Sequence, residues 1–115
     1  MSRPRSASST SFTDAAPVFA ALGDETRLEL VARLCAHGPL SIARLSEGAH
    51  VTRQAITKHL HALAQAGLVR GSRRGRERIW QLEPRSLARA HRTLDQISSQ
   101  WDAAIDRLKA FVEDE

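Results

Sequence analysis

The feature that most constrains the fold is a run of apolar residues toward the C-terminal end of the sequence. From Leu87 to Phe111 the successive intervals are 3, 4, 3, 4, 3, 4 and 3, which is an unbroken heptad seam. Its members are Leu87, Ala90, Leu94, Ile97, Trp101, Ala104, Leu108 and Phe111. Pro84 suits a first helical turn, so we predict one helix over residues 84–112 and a short acidic end over 113–115. Such a helix would project past a 115-residue domain unless something covered its seam, and a second copy of the chain is the simplest cover.

The N-terminal third predicts two more amphipathic helices. Residues 1–12 include a serine-rich stretch without large apolar side chains, and we expect this tail to be disordered. A first helix should begin at Thr13 or Asp14 and stop before Gly23. A second helix, capped by Asp24, should end at the HGPL sequence. Cys35 falls in line with Leu28 and Val31 and is expected in the core, and a single cysteine excludes an internal disulfide.

The centre of the chain has the ingredients of a helix-turn-helix. Ser41 should cap the short helix IARLSEG, and Gly48 opens a tight turn in which Val51 is expected to be buried. Thr52 should cap a second helix, RQAITKHLHALAQAG, whose apolar row is Ile56, Leu60 and Leu63. A short helix, a turn and an amphipathic helix with a polar first turn are typical of this motif.

An arginine-rich hairpin follows Gly67. Residues 70–78 contain five arginines, and the flanking segments have the spacing of strands, so we predict a β-hairpin with its tip at Ser72-Arg73-Arg74-Gly75. Residues 44–78 hold eight Lys or Arg against Glu47 and Glu77, whereas the rest of the chain is slightly acidic. A segregated basic patch of this kind points to an anionic partner.

Double-stranded DNA is the partner that the residues favour. The predicted tip has no apolar side chain for a membrane surface, and exposed aromatics suited to single-stranded RNA are missing. In a helix-turn-helix the second helix presents its first turn to base edges, where Arg53 reads guanine, Gln54 reads adenine and the Thr57 methyl meets thymine. Lys58 is expected with them, at base edges and nearby phosphates, and Thr52 and His61 are expected to hold the DNA backbone. The hairpin residues Arg73, Arg74 and Arg76 are expected to reach phosphates or the neighbouring minor groove.

Other functional classes receive less support. The five histidines have no metal-ligand spacing, so we expect no metal and no other cofactor. The chain has neither a glycine-framed nucleophile nor a phosphate loop, and we expect no enzyme. No apolar run approaches the length of a membrane span or a signal peptide, which predicts a cytoplasmic protein. Two alternatives stay open: a ligand- or thiol-responsive regulator that senses through Cys35 or a Trp101 cleft, and a basic module that docks an acidic protein.

Residues 19–82 resemble the winged helix-turn-helix of the ArsR/SmtB-type bacterial transcriptional regulators. The resemblance is carried by LGDETRLELVARL, VTRQAITKHLHAL and AGLVRGSRRGRERIW. It implies a mainly α fold with a small β-hairpin wing, formed by residues 13–83, and a homodimer joined by its terminal helices. It also implies repression from a palindromic operator. The interface expected on this basis comprises Val18, Phe19, Leu22, Leu87, Leu94, Ile97, Trp101, Leu108 and Phe111.

The chain departs from this family where metal sensors carry their ligands. Members that sense metals commonly have a Cys-x-Cys in the short helix before the turn, or Asp and His ligands along the last helix. Here the short helix has no cysteine, and the last helix has His91 as its single histidine. The resemblance therefore implies a branch without the usual metal inducer, and any inducer would be an unidentified small molecule.

Overall fold

The computed structural model describes the backbone of residues 7–114 and the side chains of residues 14–114. Within this part the chain forms five helices and a three-stranded antiparallel sheet, in line with the predicted winged helix-turn-helix. The elements, in chain order, are α1 (Ala7–Leu22), α2 (Glu25–His37), β1 (Leu40–Ser41), α3 (Ile42–Ser46), α4 (Arg53–Gln65), β2 (Val69–Arg74), β3 (Glu77–Leu82) and α5 (Pro84–Glu113).

Helix α1 begins earlier than the sequence predicted. It starts at Ala7, so residues 7–12 of the expected disordered tail are helical and the expected caps Thr13 and Asp14 lie inside the helix. No glycine or proline separates Ala7 from Pro17, and nothing in that stretch stops a helix. The expected tail over residues 1–6 lies outside the described residues.

Helix α2 begins as predicted and buries only part of the wide apolar face expected of it, which included Leu30 and Leu34 beside the row of Leu28, Val31 and Cys35. The Asp24 side chain caps it by accepting a hydrogen bond from the backbone N–H of Arg27 at 3.0 Å. Leu30 and Leu34 point into the core with Val31. Cys35, predicted to be buried, is exposed, and Leu28 of the same row is 53% exposed.

Helices α3 and α4 form the predicted helix-turn-helix around one buried cluster. Ser41 caps α3, and Leu45 is fully buried. Ile56, Leu60 and Leu63 of α4 enter the same core, as the periodicity indicated. The prediction that Val51 is buried was wrong. Its side chain is 38% exposed and contributes to the wall of a surface cavity.

Helix α4 ends in a Schellman motif at Gly67. The N–H of Gly67 donates to the carbonyl of Ala64, and the N–H of Leu68 donates to that of Leu63. Gly67 has a φ of 80°, which explains why a glycine stands there. The chain turns at this point and enters β2.

The sheet has the strand order β1-β3-β2, with both pairings antiparallel. Arg74 pairs with Glu77, so the tip is the two-residue turn Gly75-Arg76 and not the predicted Ser72–Gly75. Gly75 has a φ of 62°, whereas Arg76, like every other non-glycine residue that the structure describes, does not have a positive φ, which is the pattern of a type II′ turn. The short strand β1, which was not predicted, adds Leu40 opposite Trp80.

Helix α5 follows the heptad prediction along its whole length. Its first turns pack on the domain, with Leu87 against the core and Ala90 buried, and α5 also contacts α1. Every described residue from Ile97 onward is exposed. The distal seam of α5 is therefore uncovered in a single chain.

Candidate nucleic-acid interface

The first turn of α4 presents a polar, solvent-facing surface. Thr52 caps the helix, and its Oγ1 accepts a hydrogen bond from the N–H of Ala55 at 3.1 Å. Arg53 and Gln54 are exposed in the first turn, and Lys58 is exposed one turn later. The buried row of α4 lies on the other side of the helix, so these side chains are free to meet a ligand.

Two of the predicted contact residues on α4 also have partners within the chain. The Thr57 hydroxyl donates to the Arg53 carbonyl at 3.0 Å, and the Thr57 side chain is half-buried. The His61 ring lies against the indole of Trp80, with ring centroids 5.8 Å apart. His61 thus joins the recognition helix to the hairpin in addition to being exposed.

The arginines of the hairpin divide into two groups. Arg73, Arg74 and Arg76 are exposed and have no ion-pair or hydrogen-bond partner for their guanidinium groups in the part of the chain that is described. Arg70 and Arg78 are held by neighbouring residues. The three predicted contact residues are therefore the ones whose charge is available to an anion.

Arg70 is anchored on the outer face of the hairpin. Its guanidinium donates two hydrogen bonds, at 2.6 and 2.7 Å, to the side-chain oxygen of Gln81 in the amide orientation that satisfies both groups. It also lies 3.8 Å from a carboxylate oxygen of Glu83, the residue that precedes α5. Arg70 thereby ties β2 to the start of the last helix.

Two contacts hold the helix-turn-helix in place, and the sequence did not single them out. Arg33 of α2 donates hydrogen bonds of 2.7 Å to the carbonyls of Arg44 and Leu45 at the end of α3. Asp24 lies 3.8 Å from Nδ1 of His59 on α4. The N-cap of Asp24 was readable from the sequence, whereas its neighbour on α4 depends on how the helices pack.

The predicted interface residues fall into three classes of exposure. Val18 is only 1% exposed and belongs to the chain's own core, which corrects its assignment to a surface. Phe19, Leu22 and Leu87 are half-buried against that core. The remaining members are widely exposed: Leu94, Ile97, Trp101, Leu108 and Phe111.

The two residues that the sequence offered as candidate sensors, Cys35 and Trp101, both lie at the surface. Cys35 is exposed, and Trp101 is 67% exposed on the open part of α5. A cavity of about 410 Å³ lies elsewhere, between α2 and the turn after α3, with Glu29 and His50 among its lining residues. Within the described chain, no three His, Cys, Asp or Glu side chains lie close enough to hold a metal ion.

The helix-turn-helix with an antiparallel hairpin beside it defines a winged helix-turn-helix protein. Residues 22–72 match a family described as a helix-turn-helix domain. The HTH-type transcriptional regulator Rv2034 of Mycobacterium tuberculosis is 37% identical over 95 residues, which cover 83% of this chain and 85% of that protein. An ArsR-like transcriptional regulator from Rhodococcus sp. RHA1 has a TM-score of 0.72 at 37% identity, over 89% of this chain and 95% of the other.

The chain therefore belongs to the ArsR family of helix-turn-helix transcriptional regulators. A homodimeric winged helix-turn-helix DNA-binding domain from Mycobacterium bovis, Mb0332, shares the fold. Its TM-score is 0.63 at 20% identity, over 87% of this chain and 92% of that domain.

None of the helices in the described part of the chain combines the length and the apolar character that crossing a bilayer requires.

Proposed function

We propose that this regulator is a homodimeric repressor that binds a palindromic operator in double-stranded DNA. The observation that carries the proposal is the adjacency of two exposed basic features. The first turn of α4 presents Arg53 and Gln54, and α4 packs against β2, the strand that leads to the unpartnered arginines of the wing. Repression is what membership of the family suggests.

In this proposal α4 lies in the major groove and reads bases with its first two turns. Arg53 and Gln54 are assigned to guanine and adenine edges, because each can form a bidentate pair there. Thr57 is half-buried and bonded to the backbone, so its methyl group is the part left for thymine. Lys58 is assigned to a phosphate next to the bases.

The phosphate contacts in this proposal surround the reading helix. The Thr52 oxygen already accepts a helix bond, so its hydroxyl hydrogen is the group that would meet a phosphate. His61, two turns after Arg53 on α4, is assigned to the DNA backbone. Arg73, Arg74 and Arg76 at the wing supply charge for the adjacent phosphates or minor groove.

A second copy of the chain is the proposed cover for α5. Trp101, Leu108 and Phe111 are each more than 60% exposed, and they stand in one heptad row. Packing that row against its symmetry mate removes it from water and sets two recognition helices at a fixed spacing. Phe19 and Leu22 of α1, with Leu87, are assigned to the edge of this interface.

The proposal also covers the location of the protein in the cell and the signal to which it responds. We place the protein in the cytoplasm with no catalytic activity, as befits a transcription factor. An inducer, if the protein has one, is a small molecule of unknown type. The exposure of Cys35 favours one second candidate, a regulator that responds to modification of this thiol.

Fluorescence anisotropy at several salt concentrations tests the main proposal. The purified chain is titrated with the duplex that lies upstream of its own gene and with a scrambled duplex. We expect a steep fall in affinity with salt and a preference of roughly 10³-fold or more for the native duplex. Binding that is insensitive to salt, or absent for both duplexes, would instead favour a basic module that docks an acidic protein.

A further inference from the structure

Trp80 lies at the junction between the wing and the recognition helix. The residue is 2% exposed and belongs to the main core cluster. The His61 ring from α4 stands 5.8 Å from the indole ring, at an interplanar angle of 55°. The guanidinium carbon of Arg78, two residues before Trp80 on β3, lies 5.1 Å from the centre of the indole. This buried side chain of β3 thus connects the wing to α4, the two elements proposed to touch DNA.

Gly71 provides the room for this arrangement. It pairs with Trp80 across the hairpin, and a Cβ built on it would lie 2.9 Å from Nε of Arg78 and 3.2 Å from the indole. Its φ is not positive, so the glycine serves clearance and not backbone conformation. A side chain at this position would displace Arg78 from the ring.

The stacked position of Arg78 also affects the charge beside it. Arg73 is its partner in the register, and paired residues of an antiparallel ladder project from the same face. The indole attracts the Arg78 guanidinium through a cation–π contact and keeps it beside Trp80. Arg73 is repelled from that site, which favours conformations that direct its charge away from the sheet.

We propose that Arg78 is a positioning residue for DNA binding, which acts through Trp80 to align the wing with the recognition helix. In this role Arg78 contacts no phosphate. It packs on the indole, which His61 contacts from α4, and fixes the orientation of that ring, so the tip arginines and the first turn of α4 meet the duplex as one rigid unit. This inference rests on the proposed function, because it assumes that both elements bind DNA.

A double-mutant cycle with the tip residue Arg74 tests the proposal. Affinity for the operator duplex is measured for the wild type, Arg74→Gln, Arg78→Gln and the double variant. We expect Arg74→Gln to weaken binding about tenfold in the wild type and only about two- to threefold when Arg78 is already replaced. A loosened wing no longer holds Arg74 at its phosphate, so its removal matters less. Equal losses in both backgrounds would overturn the positioning role.

The Arg78→Lys variant separates stacking from charge. Lysine keeps the positive charge but lacks the planar group that lies on the ring, so we expect it to resemble Arg78→Gln in the cycle. If lysine restored the full effect of Arg74→Gln, a positive charge at this position would suffice, and the requirement for a planar guanidinium on the ring would be overturned.

Hydrogen exchange of the free protein tests the same proposal without DNA. We expect Arg78→Gln and Gly71→Ala to raise the exchange rates of the amides of β2 and β3, whereas Arg76→Gln at the tip serves as the matched control and leaves them unchanged. Unchanged rates in Arg78→Gln would overturn the positioning role. The two proposals can fail separately. If the wild type bound no DNA while Arg78→Gln still raised the exchange rates of the wing, the proposed function would be overturned, and the contact between Arg78 and Trp80 would still be shown to order the wing.

Discussion

The carboxylate of Asp24 and the imidazole of His59 face each other at 3.8 Å, between the start of α2 and the middle of α4. The backbone N–H of Arg27, which donates to this carboxylate, lowers the pKa of Asp24 below its ordinary value of 3.8, and His59 acts in the same direction. A carboxyl whose pKa is lower in the folded state stabilises the fold above the unfolded pKa. Its contribution is lost as the pH falls below 3.8 toward the folded pKa.

Replacement of Asp24 by asparagine should therefore reduce the acid sensitivity of the fold. Asparagine caps a helix about as well as aspartate, so the free energy of unfolding near pH 7 should change little, while its decline below pH 3.8 becomes shallower. Urea denaturation at several pH values measures this, and Asp106→Asn on the exposed part of α5 is the control. A decline as steep as in the wild type would contradict the role assigned to Asp24.

The Arg33 side chain should stabilise α3 measurably. Its guanidinium bonds two carbonyls at the end of this five-residue helix, where a positive charge also suits the helix dipole. We expect Arg33→Met to lower the free energy of unfolding by about 1.5–3 kcal/mol, the range for hydrogen bonds to charged groups. The control is Arg44→Met, which removes an exposed ion pair with Glu47 and should cost less than about 1 kcal/mol. Similar losses of unfolding free energy in the two variants would contradict the stabilising role of the Arg33 hydrogen bonds.

The sequence predicted the elements that depend on local periodicity and capping. Asp24, Ser41 and Thr52 cap their helices as expected, and the heptad seam gave the extent of α5. It did not predict β1, because two residues have no period and Ser41 was understood only as a cap. The hairpin tip was misplaced because a glycine stands on each side of the arginines. Cross-strand pairing of Gly71 with Trp80 selects the turn, and that pairing is a tertiary contact.

The sequence pattern also did not predict which arginines have partners within the chain. Five arginines of the hairpin look alike in sequence, yet Arg70 is held by Gln81 and Glu83, and Arg78 lies on Trp80. The partners of Arg70 lie on β3 and just after it, so they depend on the register, whereas the Arg78 contact with Trp80 joins residues i and i+2 of one strand and depends on the burial of the indole. The buried face of α2 was ambiguous for a related reason, because Leu28 and Leu34 belong to two neighbouring apolar rows and packing decides between them.

The exposed thiol of Cys35 should react quickly in the native protein. We expect a maleimide to label folded Cys35 at a rate close to that of the urea-unfolded chain, because its side chain is exposed. Mass spectrometry of timed samples measures the rate. Protection of more than about 100-fold would show that a partner chain or a conformational change buries the residue. If labelled and unlabelled protein bind the operator equally, the thiol-responsive candidate is excluded.

The open seam of α5 should decide the oligomeric state. Trp101→Glu places a charge in the middle of the apolar row, so we expect a dimeric wild type and a monomeric variant in light scattering after size exclusion. Ser99→Glu, on the same helix but off the seam, is the matched control and should remain dimeric. A wild type that remains monomeric at about 10 μM would contradict the proposed interface.

The division of labour between α4 and the wing gives the most specific expectation for DNA binding. Arg53→Ala or Gln54→Ala should cost about 1–3 kcal/mol on the preferred duplex and much less on a scrambled one, since a lost base contact matters only where the base is correct. Arg74→Gln should weaken both duplexes alike and reduce the salt slope by about one unit, since a phosphate contact releases a counterion irrespective of sequence. Anisotropy titrations at four salt concentrations measure both quantities for every variant. An equal loss on the two duplexes for Arg53→Ala would place that side chain on a phosphate, and an unchanged slope for Arg74→Gln would remove the wing tip from the interface.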